Sequence, residues 1–193
     1  TLTKYHFFNP FYMKVLKFGG SSVRTPERIQ AIVDILKNYY TNGEQFTVVF
    51  SALGGVTDML IKMATLAAKS DESYFALFEE FSRRHFETAQ ALLHQDALEH
   101  ALPELDNNHE VLKNLLYGIF LVREVSPRTM DYVLSFGERN SAYLIAHVLR
   151  QNGLNTRYLD ARKIVKTDDH FGAALVDFSA TYQKINEYYK ENI

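Results

Sequence analysis

Apolar positions predict a strand, a helix and a second strand over the first fifty residues. The run "MKVLKF" at 13–18 is short, apolar and followed by a glycine pair, which is typical of a buried strand. The "TPE" at 25–27 then provides a helix cap, a first-turn proline and a first-turn acid, and apolar residues recur at helical spacing until 42–43. "FTVVFS" at 46–51 is apolar on both faces, which predicts a strand of a parallel sheet with helices on each side.

The rest of the chain has a mostly helical pattern. Helical periodicity predicts further helices at about residues 57–69, 75–85, 111–122, 137–151 and 179–190. Pro103 and the "DNN" at 106–108 are expected to separate the second and third of these. Ser126-Pro127 is interpreted as the start of the helix whose pattern continues over 137–151, and Asn152-Gly153 as its end. A third strand, "TRYLD", is predicted at 156–160, with a short hairpin after it.

This order of elements predicts an α/β fold with parallel strands and right-handed crossovers. Three strands are few for so much helix, and the last element is a helix with no strand after it. We therefore expect the chain to be part of a larger domain. Residues 1–12 lack the apolar core and cleavage site of a signal peptide, and Met13 directly precedes the first strand. Residues 1–12 are interpreted as a tag or an upstream extension, and 13–193 as the folded part.

Composition restricts the partners and the compartment. The 193 residues are 47% hydrophobic and 23% charged with a formal net charge of −2, which makes a broad basic surface for nucleic acid unexpected. No apolar run approaches the roughly 18 residues that a membrane span needs. The chain has no cysteine, which favours a reducing compartment. We expect a cytoplasmic protein without a nucleic-acid or membrane partner.

Three unusual stretches are expected at or next to the carboxyl ends of the predicted strands: "KFGGSS" at 17–22, "SALGGVTD" at 51–58 and "SFGERNS" at 135–141. In parallel sheets, ligands bind beyond the carboxyl ends of the strands, and glycines there let backbone N–H groups approach phosphate oxygens. Lys17 would add a positive charge. Glu138, which the pattern places at a helix start, could bind an ammonium group. Ser51 and Thr57 would add hydroxyl groups beside the second glycine pair.

Each of these features has a simpler explanation when taken alone. A glycine pair after a strand is usually a turn, Lys17 can be a solvated charge, and Glu138 can be an acid that favours a helix start. Together they place a phosphate cradle, hydroxyl groups and a carboxylate at one edge of one sheet. This combination favours a ligand site over three unrelated turns.

The three stretches, in this order, resemble the aspartokinase branch of the amino-acid kinase family. The resemblance is carried by "KFGGSSV", "VVFSALGGVTD" and "SFGERNSA", extends through "LDARKIVKTDDHFGAA", and covers essentially everything from Met13 onward. The first motif is shared with other members of the superfamily, whereas the three motifs in order are specific. The long helical stretch at about 70–125 is similar to the insertion of longer aspartokinases, including those fused to homoserine dehydrogenase.

The resemblance implies a three-layer α/β/α sandwich of the carbamate kinase-like type, truncated here and with a helical insertion. It implies ATP-dependent phosphorylation of the β-carboxylate of L-aspartate, the first step towards lysine, threonine and methionine. Aspartokinases continue into a "GRGGSD"-type segment and a nucleotide pocket that the 193 residues do not contain. We therefore expect these residues alone to be inactive, and the full-length enzyme to be a homo-oligomer.

The resemblance also implies roles for individual residues. The ATP phosphates would be contacted by Lys17, Phe18, Gly19, Gly20 and Ser21. Lys17 would be the catalytic residue among them. Aspartate would be bound by Ser51, Thr57 and Glu138. Glu138 would contact its amino group, and Mg²⁺ would arrive with ATP.

Two alternatives remain open: another amino-acid kinase that acts on glutamate or acetylglutamate, and a non-catalytic binding or assembly module that uses the insertion as its interface. Neither a P-loop nor a Gly-x-Gly-x-x-Gly motif is present. No metal site is assigned, because the histidines are scattered. Solvated surface positions are expected for His85, His94, His100 and His109. His147 is expected to be partly buried.

Overall fold

Two parallel strands, six α-helices and one 3₁₀ helix make up the structure, a computed structural model that describes residues 13–192. Residues 1–12, interpreted above as a tag or an upstream extension, lie outside the described residues. The strands are β1, Lys14–Phe18, and β2, Phe46–Phe50. The α-helices are α1, Pro26–Thr41, α2, Val56–Ala68, α3, Ser73–Leu92, α4, Gln95–Val122, α5, Pro127–Gln151, and α6, Phe178–Asn192, with a 3₁₀ helix at Ala161–Lys163. Among these helices, none is both long enough and apolar enough to cross a membrane.

The predicted strand–helix–strand unit at the start of the chain is confirmed. β1 pairs with β2 in parallel along all five residues of each strand. Between them, α1 begins after Thr25, whose hydroxyl accepts a hydrogen bond from Arg28 N at 3.5 Å. The buried face of α1 carries Ile29, Ile32, Val33 and Leu36. This face packs into the same core as Leu16 and Val48 of the sheet.

One face of the two-stranded sheet is exposed in the described part of the chain. Val15 is 69% exposed and Val49 is 49% exposed. Lys17 and Thr47 point to the same side, because paired residues of parallel strands share a face. The prediction that helices cover both faces of β2 is therefore wrong for residues 13–192, whose helices pack on the opposite side. An apolar run does not show which of its two faces is covered.

The predicted third strand at 156–160 is not a strand in the structure, where these residues join neither of the two described strands. Arg150 Nε instead donates a hydrogen bond to Thr156 O at 2.9 Å, which ties the segment to the end of α5. The hairpin expected after it is reduced to a single antiparallel bridge between Thr167 and Val176. An alternating sequence forms a strand only where a neighbouring strand supplies the hydrogen bonds, and none of the described strands lies beside this segment.

α4 continues without a break through Pro103 and the following "DNN". The prediction that these residues separate two helices is therefore wrong. The break falls instead at Leu93 and His94, between α3 and α4. A proline in a helix interior costs about 3 kcal/mol. Buried residues on both sides of it, such as Ala101 and Leu105, hold α4 in the core, where it packs against α2 and α5. This packing outweighs the local signal of Pro103, which is itself exposed.

Two of the histidines expected at the surface are buried, and the prediction is wrong for them. His85 is 0% exposed and His109 is 3% exposed, and their ring centroids are 5.4 Å apart. His85 Nδ1 lies 2.8 Å from Phe81 O, and His109 Nδ1 lies 3.0 Å from Ser82 Oγ. The many charges around them in the sequence occupy the outer faces of α3 and α4, whereas these two rings face inward. The predicted exposure is confirmed for His94 and His100, and the predicted partial burial is confirmed for His147.

Burial makes the two inward-facing histidines a source of acid sensitivity. It lowers the pKa of His85 to about 4 and that of His109 to about 3. The unfolded chain, with histidine pKa values near 6.5, therefore binds more protons than the folded chain below about pH 6.5. Stability is complete above this pH and falls as the pH is lowered towards the folded pKa values. We expect the free energy of unfolding, measured with urea, to fall by about 1–2 kcal/mol per histidine between roughly pH 7.5 and pH 5.

Single substitutions separate this effect from other titrations. His85→Phe and His109→Phe should each flatten the pH profile of stability, because phenylalanine keeps an aromatic ring but does not titrate. His100→Asn, at an exposed position, should leave the profile unchanged. A profile with the wild-type slope in both buried variants would show that the acid sensitivity has another origin.

Candidate active site

The loops that follow β1 and β2 lie directly against each other. A Cβ atom on Gly20 would lie 3.3 Å from Ala52 O, and a Cβ atom on Gly54 would lie 3.0 Å from Gly20 O. Side chains at these positions would hold the loops apart, so the contact depends on glycine. The strand pairing continues into the contact, because Ser51 N donates a hydrogen bond to Phe18 O at 3.0 Å. The two predicted glycine motifs therefore meet at the carboxyl edge of the sheet.

The first loop carries backbone donors next to a lysine. Gly19 O accepts a hydrogen bond from Ser22 N at 2.9 Å, which turns the chain away from the strand. Within residues 13–192, the N–H groups of Gly20 and Ser21 donate to no backbone acceptor. Lys17 is exposed, and its Nζ lies 3.5 Å from the position that a Cβ atom of Gly19 would take. The positive charge and the amide donors share one surface, which suits an anion.

Phe18, predicted to contact the nucleotide, directs its side chain elsewhere. Its ring is half-buried and stacks on Phe50, with centroids 5.8 Å apart and an angle of 18° between the rings. Only its backbone atoms therefore belong to the loop surface.

The second loop leads into α2 through a left-handed residue. Gly55 has a φ of +84° and immediately precedes α2, and this conformation favours glycine. Ser51, before the loop, is half-buried, and Thr57, in the first turn of α2, is exposed. The two predicted hydroxyl residues therefore flank the second glycine pair.

Helix α5 brings Glu138 to the second loop. A Cβ atom on Gly137 would lie 2.8 Å from Ala52 Cβ, so glycine lets the helix lie close to the loop. Ala52 N donates a hydrogen bond to Glu138 Oε1 at 3.4 Å, and Ser141 Oγ donates to Ser51 O at 2.6 Å. The structure therefore brings Glu138 together with Ser51, as predicted from the sequence motifs.

Glu138 does not lie at a helix start, and this part of the prediction is wrong. α5 begins after Ser126, whose hydroxyl accepts a hydrogen bond from Thr129 N at 3.2 Å, and it passes through Gly137 without a break. The helix dipole therefore favours Glu138 little, because its effect is confined to the first and last turns. The carboxylate is exposed, and the backbone donor of Ala52 holds it in place.

Three arginines that the motifs do not indicate also contact the loops. Arg28 Nη1 donates a hydrogen bond to Ser21 O at 2.5 Å, and Arg84 Nη2 donates to Gly54 O at 2.8 Å. The stem of Arg24 covers Gly54, where a Cβ atom would lie 2.8 Å from Arg24 Cγ. Arg24 and Arg28 follow the first motif closely in sequence, and this proximity is a signal that could have found them. Arg84, on α3, lies 30 residues away from Gly54 in the sequence. No local sequence pattern indicates that it contacts the loop.

The arrangement combines a cationic, glycine-lined surface with a carboxylate. It can hold a phosphate group on the first loop beside a ligand with an amino group at Glu138. In the described chain, no group of three or more His, Cys, Asp or Glu side chains could hold a metal ion. An open depression of about 640 Å³ on α3, lined by residues such as Glu79, Arg83 and Phe86, includes none of the loop residues. That depression does not mark the site.

The sequence of the chain is similar to those of known kinases. The amino acid kinase family model matches residues 13–193. The chain is 34% identical over 151 residues to bifunctional aspartokinase/homoserine dehydrogenase 2, chloroplastic, of Arabidopsis thaliana, and the match covers 78% of this chain and 16% of that protein. It is 32% identical over 178 residues to aspartokinase 2, chloroplastic, of the same plant, with 90% of this chain and 31% of that protein covered. The chain thus spans less than a third of the length of either relative.

The fold is similar to that of a solved aspartokinase. The crystal structure of E. coli aspartokinase III in complex with aspartate and ADP matches with a TM-score of 0.80 at 25% sequence identity. The match covers 92% of this chain and 38% of that one. The predicted α/β fold class and the predicted resemblance to aspartokinases are confirmed. α3 and α4 lie within the stretch at about 70–125, whose assignment as an insertion stays a prediction.

Proposed function

Because the chain belongs to the amino acid kinase family, we propose that it forms the aspartate-binding part of an aspartate kinase. The observation that carries the proposal is the contact between the two glycine loops, with Lys17 over the first and Glu138 at the second. The aspartokinase names of the relatives support it, as do the aspartate and ADP in the E. coli structure. The activity is proposed for the complete gene product, because the chain spans only part of its relatives.

Lys17 and the first loop are proposed to bind the phosphates of ATP. The β-carboxylate oxygen of aspartate would form a bond to the γ-phosphorus while the bond from that phosphorus to the ADP oxygen breaks. The Lys17 ammonium would stabilise the negative charge on the group in transfer. The N–H groups of Gly20 and Ser21 would donate to phosphate oxygens. Mg²⁺ would be bound chiefly through the phosphates, because the described residues offer no carboxylate cage.

The second loop and α5 are proposed to bind L-aspartate. The Glu138 carboxylate would accept hydrogen bonds from the substrate ammonium. The hydroxyl groups of Ser51 and Thr57, which flank the loop, would donate to the substrate carboxylates. Such an arrangement orients the β-carboxylate towards the phosphate end of the site, and orientation is a large part of catalysis in phosphoryl transfer.

Glu138→Gln tests the aspartate end of the site. The variant keeps the shape of the side chain but removes its charge, and a hydrogen bond to a charged group contributes about 1.5–3 kcal/mol. We expect the KM for aspartate to rise about 10- to 100-fold and the KM for ATP to change less than about twofold. The measurement is a coupled assay of aspartate-dependent ADP release by the complete gene product.

The controls separate the proposal from its alternatives. Glu124→Gln, at an exposed acid between α4 and α5, should leave both KM values unchanged. Glutamate and acetylglutamate should not replace aspartate, and turnover with either would assign the protein to another branch of the family. Equal rises of both KM values in Glu138→Gln would point to a structural role. A wild-type protein that is indifferent to aspartate and ATP but dimeric would instead be an assembly module.

Other properties of the complete protein stay predictions. They are a homo-oligomeric state, a cytoplasmic location and the lack of nucleic-acid and membrane partners. The inactivity of the 193 residues alone is also a prediction, and the same coupled assay measures it.

A further inference from the structure

A guanidinium group from α3 is hydrogen-bonded to the second glycine loop. Arg84 Nη2 donates to Gly54 O at 2.8 Å in a partly buried contact. Arg84 Nη1 lies 3.9 Å from the position that a Cβ atom of Gly55 would take. Helix α3 belongs to the stretch at about 70–125 that is interpreted as an insertion. A helix outside the strand–loop–helix framework therefore contacts the candidate site directly.

The peptide unit that receives this bond is unusually free to rotate. It joins Gly54 to Gly55, and neither residue has a Cβ atom to restrict the torsion angles on either side. Such a peptide can exchange the directions of its carbonyl and its N–H at low cost. The bond from Arg84 selects one direction, because it holds the Gly54 carbonyl towards α3. In a trans peptide the two groups point in opposite directions, so the N–H of Gly55 then points away from α3.

The selected direction matters for the aspartate end of the site. The same short loop contains Ala52, whose N–H donates to Glu138, and ends just before Thr57. An N–H of Gly55 that points away from α3 is a donor for a substrate carboxylate, whereas a rotated peptide would present a carbonyl oxygen and repel it. The hydrogen bond from α3 would therefore favour a donor over an acceptor at this position.

We propose that Arg84 is a positioning residue of the aspartate site. It keeps the Gly54–Gly55 peptide in the orientation that presents the N–H of Gly55 to a carboxylate of L-aspartate. This inference rests on the proposed function for the identity of the ligand. It assigns to α3 a part in substrate binding, in addition to its packing in the core.

The neighbouring residue provides a matched control. Arg83 has the same side chain on the same helix, but it points outward and forms ion pairs with Glu80 and Glu87. Its substitution removes the same charge and the same volume without touching the loop. Effects that are general to α3 or to net charge would therefore appear in both variants.

The kinetic test compares Arg84→Ala, Arg84→Lys and Arg83→Ala in the complete gene product. Arg84→Ala should raise the KM for aspartate about tenfold, the loss expected for about 1.4 kcal/mol of binding, while the KM for ATP stays within about twofold. Arg84→Lys retains one cationic donor and should recover part of the loss. Added guanidinium at a non-denaturing concentration should partly restore Arg84→Ala, since it can occupy the vacated position. Arg83→Ala should match the wild type.

A second measurement does not depend on activity. In the complete gene product, selective ¹⁵N-glycine labelling simplifies the amide spectrum so that Gly55 can be assigned in it. Arg84→Ala should shift, double or broaden the Gly55 signal, and Arg83→Ala should leave it unchanged.

The two measurements separate failure of this inference from failure of the proposed function. An unchanged Gly55 signal in Arg84→Ala, or equal KM effects in Arg83→Ala and Arg84→Ala, would overturn the role of Arg84. A wild-type protein without aspartate-dependent turnover would overturn the proposed function, and the Gly55 signal would still test whether Arg84 holds the peptide. If Arg84→Ala does not fold, Arg84→Lys carries the same comparison, and a wild-type Gly55 signal together with a wild-type KM in that variant would count against the inference.

Discussion

Replacing Lys17 by alanine is expected to lower kcat for aspartate phosphorylation by a factor of about 100 to 1000, the range measured for the loss of one transition-state donor. In phosphoryl transfer the protein contributes mainly position and charge, so removal of a cation from the group in transfer affects the chemical step directly. The Lys17 Nζ lies over the first glycine loop, and the residue is exposed. The free energy of unfolding should therefore change little. The measurement is kcat of the complete gene product at saturating aspartate and ATP.

Lys14 offers a control on the same strand. It lies at the opposite end of β1 and forms an ion pair with Glu44. Lys14→Ala should change stability slightly and leave kcat close to the wild-type value. A Lys17→Ala variant with near-normal turnover would remove the catalytic assignment. Equal losses in Lys14→Ala and Lys17→Ala would attribute the effect to β1 as a whole.

The parts of the site that could be predicted are those fixed by local sequence. Both glycine loops follow their strands directly, and the requirement for close backbone approach is visible in the residues themselves. Positions 20 and 54 require glycine, because an added Cβ atom would lie only 3.0–3.3 Å from the opposite loop. The start of α1 at Thr25 was likewise predictable, since a cap depends on a few adjacent residues.

The parts that could not be predicted depend on contacts between distant segments. Arg84 reaches Gly54 from α3. In the sequence, nothing distinguishes this charged residue from the other charged residues of α3. Pro103 predicts a break, but the packing of the buried residues of α4 outweighs this local preference. The glycine before Glu138 predicts a helix start, whereas in the structure it lets α5 pack on the second loop. A local pattern cannot distinguish a glycine that ends a helix from one that lets a helix approach its neighbour.

This distinction can be tested by adding one methyl group. Gly137→Ala should lower the free energy of unfolding by about 1–2 kcal/mol, although alanine is the better helix former. The new Cβ atom would lie 2.8 Å from Ala52 Cβ and 3.3 Å from Leu60 Cδ1, so α5 must move away from the second loop. The same movement weakens the hydrogen bond from Ala52 N to Glu138. We therefore expect the KM for aspartate to rise in parallel with the loss of stability, measured by urea denaturation and by the coupled assay.

Gly118→Ala provides the opposite result on α4. A Cβ atom at Gly118 would have no neighbour within 4 Å among the described residues, so only helix propensity should act and the protein should gain up to about 1 kcal/mol. Ala52→Gly in the Gly137→Ala background removes the opposing methyl group and should restore both stability and the KM for aspartate. The double variant should therefore be more stable than the sum of the single effects predicts, with a coupling of about 0.5–3 kcal/mol. Two results would contradict this interpretation: additive effects of Gly137→Ala and Ala52→Gly, or a Gly137→Ala variant that is as stabilised as Gly118→Ala. Either result would show that α5 does not pack on the second loop through Gly137, and the position of Glu138 would need another explanation.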